Sequence, residues 1–208
     1  MASSRRSVTG LRTTPVQPRG TATVERILNA GLEVLHEQGL EAFNTNVVAS
    51  SAGVNIATLY HYFPDKVAIL RELFLREEAQ RVTYLRAMIR QYPTATSIDH
   101  WVSDVVGTLT TMRRVNPQVS VLRNALRVVP DLQELEDQQD SATAEELATA
   151  IRKRHGTVSR SRALAIARLL VHTGVSILDR TSGSESGLRG VEKELSSMFA
   201  AYLTSLDE

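Results

Sequence analysis

The sequence predicts an all-α protein with a three-helix N-terminal domain and a larger helical C-terminal domain. Apolar residues recur at helical spacing along most of the 208 residues. Glycines, prolines and capping residues separate these helical runs. No stretch shows the alternating pattern or the hairpin turns of β-strands. We expect three segments, which are an N-terminal arm at 1–20, the small domain at 21–66 and the large domain at 67–208.

Composition excludes several classes of protein. With 42% hydrophobic and 23% charged residues, the chain is typical of soluble globular proteins. It contains no cysteine, which excludes disulfides and thiolate chemistry. The net charge of +1 gives no argument for nucleic-acid binding, so any such argument must be local. Arg168 and His172 interrupt the longest apolar stretch, Ala163 to Leu178, so we expect a buried helix, no membrane span and a cytoplasmic protein.

The first helix is predicted to begin at Thr23, its N-cap, and to stop at Gly39. Glu25 in the first turn complements the helix dipole. The helix serves as scaffold, because it carries an apolar stripe at helical spacing. That stripe consists of Val24, Ile27, Leu28, Gly31, Leu32 and Leu35.

Two short helices joined by a tight turn follow. Asn44 is the expected N-cap of a helix that begins at Thr45, although capping alone explains Asn44. Gly53 provides a left-handed turn residue, and Asn55 caps a helix predicted from Ile56 to Phe63. This arrangement is typical of the helix-turn-helix motif.

The second short helix has two different sides. Leu59 and Phe63 are four residues apart and face the first helix. The outward side has no carboxylate and several neutral hydrogen-bond donors, which suits a DNA groove. That side consists of Ala57, Thr58, Tyr60, His61 and Tyr62. The alternative is that Tyr60 and Tyr62 belong to the ordinary core.

Lys66 gives a second indication of DNA binding. Asp65 is the expected N-cap of the next helix, and a cation in a first helical turn opposes the helix dipole. A phosphate held jointly by the ammonium and the helix-start amides explains this lysine. The alternative is a solvated surface lysine.

Several spaced positions resemble the N-terminal DNA-binding domain of the TetR family of bacterial transcriptional regulators. The resemblance covers about Thr23 to Leu70. It rests on Arg26, Ile27, Leu28, Ala30, Gly39, Val48, Ala49, Ala52, Gly53, Val54, Leu59, Tyr60, His61, Tyr62, Phe63 and Lys66. The chain departs from the family pattern at Val48, Asn55 and Ile56, where isoleucine, serine and a polar or small residue are usual.

The candidate DNA-binding residues lie on the two short helices and at the start of the next. We expect Asn46, Ala57 and Thr58 in the groove, with Ile56 and Ala57 against thymine methyl groups. Backbone phosphates are the expected partners of Thr45, Tyr60, His61, Tyr62 and Lys66. The full set is Thr45, Asn46, Asn55, Ile56, Ala57, Thr58, Tyr60, His61, Tyr62 and Lys66. The resemblance supports Thr58, Tyr60, Tyr62 and Lys66 best.

The first twenty residues predict a disordered basic arm. They are rich in Ser, Thr, Gly and Pro, and they include Arg5, Arg6, Arg12 and Arg19 but no acid. They also lack the apolar region of a signal peptide. A basic arm ahead of a helix-turn-helix can enter the minor groove. The alternative is a solvated tail with a weak, salt-sensitive attraction to DNA.

Helices fill the rest of the chain. A long helix from Asp65 runs to Pro93 without a Gly or Pro break, so a movement at its far end would reach Lys66. A helix opened by Ser97 or Asp99 follows. Three further helices are expected, which are a short one from Pro117 through Leu126, one from Pro130 to Gly156 and one over 159–181. The segment 183–187 is expected to be the turn before a last helix over 188–206.

The last two helices predict a homodimer through residues 159–206. The first is apolar on nearly every side, and Gly174 permits close approach. The second carries a near-heptad seam. That seam consists of Leu188, Val191, Leu195, Met198, Tyr202 and Leu206. The alternative is intramolecular packing, whereas the resemblance implies dimerisation through these helices, which lets two motifs read a palindrome.

The resemblance also implies a small-molecule effector that binds inside the C-terminal helices and displaces the helix that begins at Lys66. Polar or large side chains on apolar helices are candidates to line its pocket, although each is also explained as core or as a satisfied buried polar group. The candidates are Tyr84, Met88, Trp101, Met112, Arg123 and His172. The sequence does not identify the ligand.

No catalytic, metal or cofactor motif is found. The run from Gly183 to Gly187 lacks the central serine and the preceding strand of a nucleophile elbow. The five histidines show neither i, i+4 pairs nor cysteine partners. We therefore expect no enzyme and no cofactor. The resemblance implies a transcriptional repressor that an effector releases from double-stranded DNA. A small-molecule carrier with a vestigial motif stays open, as does a DNA-packaging protein, against which the near-neutral charge argues.

Overall fold

Eight α-helices, and no strand, form the part of the chain that the structure describes. The structure is a computed structural model, and it describes residues 11–13, 17–115, 122–123, 129–181 and 185–207. The prediction of an all-α fold is confirmed for these residues. The helices are α1 (Pro18–Ala42), α2 (Thr45–Ser51), α3 (Ile56–Tyr62), α4 (Lys66–Gln91), α5 (Ile98–Val115), α6 (Pro130–Arg154), α7 (Arg160–Thr181) and α8 (Glu185–Thr204). Short 3₁₀ turns cover Tyr92–Thr94 and Ser205–Asp207.

The chain divides into two compact units. The first unit contains the residues up to Glu78 together with Val121–Glu134. The second unit contains Ala79–Ser120 and Leu135–Glu208. Helix α4 contributes its first half to the first unit and its second half to the second unit.

The start of α1 differs from the prediction. The helix begins at Pro18, five residues before the expected Thr23 cap, and Gln17 precedes it in an extended conformation. Proline suits this position because its ring fixes a helical φ and its missing N–H needs no partner there. The predicted stop at Gly39 is visible as a break with φ of 75°, after which one more turn leads to Ala42.

The predicted arm also needs a correction at its C-terminal end. Residues 11–13 are placed, and the backbone N–H of Arg12 donates to the Tyr62 carbonyl at 2.8 Å. This part of the arm is therefore held against the end of α3. Residues 1–10 and 14–16 lie outside the described residues.

The helix-turn-helix forms as predicted within the first unit. Asn44 Oδ1 accepts the Val47 N–H at 3.0 Å, and Gly53 has φ of 61°. Helices α2 and α3 pack together, and α1 packs against α2. The core of this unit contains Val24, Ile27, Leu28, Leu35, Phe43, Val48, Leu59, Phe63, Ile69 and Leu70, all at most 2% exposed.

The core of the second unit lies where α5 packs against α7 and α8. Ser97 caps α5, because its Oγ accepts the His100 N–H at 3.2 Å. The buried apolar residues come from α4 to α8, and Ile151, Ala163, Ile166, Leu178 and Leu203 are among the least exposed. A buried ion pair joins α5 to α7, with Arg113 Nε 2.8 Å from Asp179 Oδ1.

Helix α7 is the one described helix that is long and apolar enough to cross a membrane by length and composition alone. Its stretch Arg160–Arg180 has a mean hydropathy of 1.3, and 39% of the most apolar window is buried within the chain. Because α7 packs against α5 and α8, it belongs to the helical core of the second unit.

One other predicted boundary changes, and one predicted helix stays a prediction. The turn expected at 183–187 is shorter, because α8 already begins at Glu185. The short helix expected from Pro117 through Leu126 falls mostly outside the described residues, and the two that are described, Leu122 and Arg123, are helical and buried.

Candidate DNA-binding surface and ligand cavity

Local capping and burial fix the orientation of α3. Asn55 Oδ1 accepts the Ala57 N–H at 2.8 Å and closes the first turn of the helix. Leu59 and Phe63 are completely buried, as predicted from their i, i+4 spacing. With these two side chains held inside, rotation of the helix about its axis is prevented and its opposite side stays outward.

The ten predicted DNA-binding residues lie on α2, on α3 with its cap, and at the first position of α4. We call the α3 residues other than the buried Leu59 the outer α3 surface, and it consists of Ile56, Ala57, Thr58, Tyr60, His61 and Tyr62. Asn46, Asn55, Ala57, Tyr60, His61 and Lys66 are exposed. Thr45, Ile56, Thr58 and Tyr62 are partly buried. The core alternative for Tyr60 fails, since its side chain is 42% exposed.

A hydrogen bond connects the start of α2 to the middle of α3. Thr45 Oγ1 and the Tyr60 hydroxyl lie 3.0 Å apart, and either atom can donate. The two rings of His61 and Tyr62 are in edge contact, with centroids 4.8 Å apart. These contacts hold polar groups from both helices on one accessible face, which presents donors without any carboxylate.

Lys66 has a partner within the protein that the sequence did not indicate. Its Nζ donates to the Phe43 carbonyl at 3.3 Å, across the start of α4. Asp65 is the N-cap, as predicted, because its Oδ1 accepts the Ala68 N–H at 2.8 Å. The lysine therefore helps to join the α1–α2 connection to α4. An ammonium has three donors, so this bond leaves capacity for a phosphate.

Arg12 is a cation beside α3 that was not among the predicted site residues. Its guanidinium lies 3.4 Å from the Tyr60 carbonyl, while its backbone bonds Tyr62. Arg12 was one of four arginines in a segment without helical periodicity, so no sequence pattern distinguished it from the other three.

A cavity of about 80 Å³ lies inside the second unit. Helices α4 to α8 all contribute to its wall, which is almost entirely aliphatic and aromatic. The lining consists of Arg81, Leu85, Met88, Ile89, Trp101, Val102, Val105, Val106, Leu109, Thr143, Leu147, Leu170, Val171, Gly174, Val175, Leu178, Leu195, Phe199 and Leu203.

Two of the six predicted effector residues, Met88 and Trp101, line this cavity. Tyr84 and Met112 pack against the same core without reaching the lining. The Tyr84 hydroxyl donates to the Asp104 carbonyl at 3.0 Å, and burial raises the pKa of Tyr84. This tyrosine is therefore neutral and already bonded at pH 7.

The structure places the other two predicted effector residues elsewhere. Arg123 belongs to the first unit, where it pairs with Glu78 and lies over the Phe74 ring, so its burial reflects an ion pair and not a ligand site. The His172 side chain is 50% exposed, with Nδ1 3.9 Å from Asp140 Oδ2. Sequence periodicity marked both as polar groups on apolar helices but could not show which way they face.

The last two helices leave large apolar side chains uncovered. Leu169 of α7 is 56% exposed, and Met198 and Tyr202 of α8 are 51% and 38% exposed. Met198 and Tyr202 are four residues apart and therefore lie on one side of α8. Leu188, another residue of the predicted seam, lies among those whose side chains are not described.

Within the described residues, no group of three or more His, Cys, Asp or Glu side chains is arranged to hold a metal ion. Two features remain as candidate functional sites. They are the accessible polar groups of α2 and α3 and the apolar cavity of the second unit.

Comparison with known proteins agrees with this architecture. The family model described as bacterial regulatory proteins, tetR family, matches residues 27–73. The model described as tetracyclin repressor-like, C-terminal domain, matches residues 97–203, which is half of the chain. The two matches together cover the helix-turn-helix and most of the second unit.

Individual relatives match over shorter stretches of the chain. The HTH-type transcriptional regulator UidR of Escherichia coli strain K12 is 28% identical over 74 residues, or 36% of this chain and 38% of UidR. The HTH-type transcriptional repressor KstR of Rhodococcus jostii strain RHA1 is 43% identical over 53 residues, or 26% of this chain and 25% of KstR. The alignments thus span well under half of these relatives.

One solved structure shows that the fold extends over most of the chain. The fatty acid degradation regulator FadR from Bacillus halodurans superimposes with a TM-score of 0.70, covering 90% of this chain and 97% of FadR at 16% identity. This similarity concerns the fold alone. Together with the two family models, the helix-turn-helix geometry and the helical second unit show that this chain belongs to the TetR family of bacterial transcriptional regulators.

Proposed function

We propose that this protein is a cytoplasmic repressor that binds a palindromic operator as a homodimer and releases it when a small molecule binds. The observation that carries the proposal is the outer α3 surface, which is accessible, free of carboxylates and fixed by the burial of Leu59 and Phe63. The family provides the regulatory role, and the name of KstR as a repressor supports the direction of regulation.

The proposed contacts follow the exposure of each residue. Ala57 and Thr58 face base edges, with Ile56 beside a thymine methyl, because short side chains let the helix approach the major groove. Asn46 reaches the groove from α2. Thr45, Asn55, Tyr60, His61, Tyr62 and Lys66 contact phosphates, which sets affinity and register without reading sequence.

Dimerisation is proposed through α7 and α8. Leu169, Met198 and Tyr202 are the exposed large apolar residues that a second copy would cover. A dimer is required by the proposed function because one short recognition helix contacts few base pairs. Two such helices about one DNA turn apart, ~34–36 Å, read the two halves of a palindrome.

The cavity of the second unit is the proposed effector site. Leu85, Met88 and Ile89 of α4 line it, and the same helix begins at Lys66. We infer that a ligand acts on DNA binding by shifting α4. Linkage then requires that an effector that weakens operator binding is itself bound more weakly by the operator complex.

Selection of preferred sites from random duplex DNA tests the proposal. The purified full chain is incubated with the library at physiological salt and excess competitor DNA, and its mass is measured by sedimentation. We expect a dimer and a two-fold symmetric consensus with half-sites about 10 base pairs apart. Absence of any preferred duplex would contradict the proposal and favour the alternative of a carrier with a vestigial DNA-binding motif.

A further inference from the structure

We propose that the cavity lined by α4 to α8 binds an uncharged apolar molecule, of the size of a single aromatic ring or a short alkyl chain, and holds it by burial without hydrogen bonds. This inference rests on the proposed effector role of the cavity and adds the chemical class of the effector. It is carried by the bonding of the polar side chains in the cavity wall.

The two neutral polar side chains of the lining, Thr143 and Trp101, already have partners within the protein. Thr143 Oγ1 donates to the Gln139 carbonyl at 3.0 Å, one turn earlier in α6. Trp101 Nε1 donates to the Met88 carbonyl at 2.8 Å. These bonds occupy both donors with backbone carbonyls, so neither the Thr143 hydroxyl proton nor the Trp101 N–H is free for a ligand.

Arg81 is the one charged side chain among the lining residues, and its charge is compensated. Its Nη2 lies 3.1 Å from Asp140 Oδ1, and the two side chains are only 8% and 6% exposed. The Arg81–Asp140 pair has no net charge, so a ligand carboxylate would add a buried negative charge to the wall and would lose its hydration. A ligand cation would meet no free negative charge in the wall and would lose its hydration.

The size of the expected ligand follows from the space and from Gly174. Apolar cavities of about 150 Å³ accept benzene in proteins, and this cavity of about 80 Å³ is smaller, so a ring needs small side-chain movements. The side chains of Met88 and Phe199 are partly buried and can make these small movements. Gly174 lies in the middle of α7 although glycine disfavours helices, and its missing side chain leaves room beside Phe199.

Trp101 provides a direct measurement, because it is the only tryptophan of the chain and lines the cavity. We would titrate the full-length protein with toluene, benzoate and benzylammonium, and with methyl octanoate, octanoate and octylammonium, following tryptophan fluorescence and melting temperature. We expect saturable binding of toluene and methyl octanoate, with charged members of each series about ten-fold or more weaker.

A paired substitution locates the binding site. In Gly174→Ala the new Cβ lies 3.5 Å from the Phe199 ring, an ordinary contact, so the protein folds while the cavity shrinks. We expect weaker binding of the neutral compounds by about three-fold. Gly107→Ala is the control, since Gly107 is also within a helix but is not part of the lining, and its affinity should match the wild type.

Two outcomes would overturn the inference. One is a charged compound that binds as tightly as its neutral counterpart, which would mean that the cavity wall compensates the charge of the ligand. The other is no saturable response to any of the six compounds, or equal affinities in wild type and Gly174→Ala. Operator selection on the same preparation keeps the two proposals separate, because DNA binding can succeed when this inference fails.

Discussion

The outer α3 surface and the cavity of the second unit are built in different ways. The DNA-binding candidates span Thr45 to Lys66, and their positions follow from caps, one left-handed glycine and i, i+4 spacing. The cavity combines side chains of five helices, from Arg81 to Leu203. Short-range rules therefore describe the first site, whereas the second depends on how separate helices pack. We expect substitutions in the helix-turn-helix and substitutions among the packed helices of the second unit to differ in the size and the kind of their effects.

The largest effect is expected in the second unit, at the buried ion pair. Asp179→Ala leaves the guanidinium of Arg113 buried without this carboxylate, which should lower the free energy of unfolding by about 3–5 kcal/mol. The control is Arg76→Gln, because Arg76 pairs with Glu25 and Glu72 at partly exposed positions in the first unit. Arg76→Gln should lower the free energy of unfolding by about 1 kcal/mol or less. Equal effects in urea unfolding would show that burial does not distinguish the two pairs.

In the first unit the largest effect should come from the side of α3 that faces inward. Leu59→Ala removes a completely buried side chain and should cost about 2–5 kcal/mol of stability. Ser50→Ala, at an exposed position of α2, should stay within about 0.5 kcal/mol. Circular dichroism during urea unfolding measures both. A Leu59→Ala protein as stable as Ser50→Ala would contradict the described core.

A smaller effect is expected at the turn between α2 and α3. Gly53 has φ of 61°, so Gly53→Ala places a side chain in a left-handed conformation and should cost about 1–2 kcal/mol. Gly190→Ala is the matched control in the second unit, because Gly190 lies in α8 with open space around a new Cβ. Gly190→Ala should raise the free energy of unfolding by about 1 kcal/mol. The same sign for both would refute the turn geometry.

The smallest change concerns binding and not folding. Lys66→Ala should weaken binding to every duplex and reduce the slope of log affinity against log salt by about one unit. Lys193→Ala, an exposed lysine of α8, should leave both unchanged. Fluorescence anisotropy over a salt series measures the slope. A Lys66→Ala protein with reduced stability but an unaltered slope would assign the lysine to its bond with the Phe43 carbonyl alone.

The accuracy of the sequence predictions follows the same division. Asn44, Gly53, Asn55 and Asp65 were predicted correctly because a cap or a turn depends on a few neighbouring residues. The start of α1 was misplaced, since Thr23 is a good cap but Pro18 opens the helix earlier.

The cavity could be predicted only in part. Met88 and Trp101 were selected as large side chains on apolar helices, and both line it. Arg123 satisfied the same criterion and instead pairs with Glu78, a residue 45 positions away in sequence. Gly174 was predicted to permit close approach of another helix, but the space that it leaves beside Phe199 was not predicted. Periodicity reports which positions are apolar, but it does not show where helices fail to fill the space between them.

The most direct test of the account is the operator preference of Thr58→Ala. Thr58 lies on the outer α3 surface, partly buried, and is proposed to face base edges. Selection from random duplex DNA should give the wild-type consensus for Ser50→Ala and a consensus changed at one position in each half-site for Thr58→Ala. An identical consensus for the wild type and Thr58→Ala would contradict the claim that this residue of α3 reads the operator.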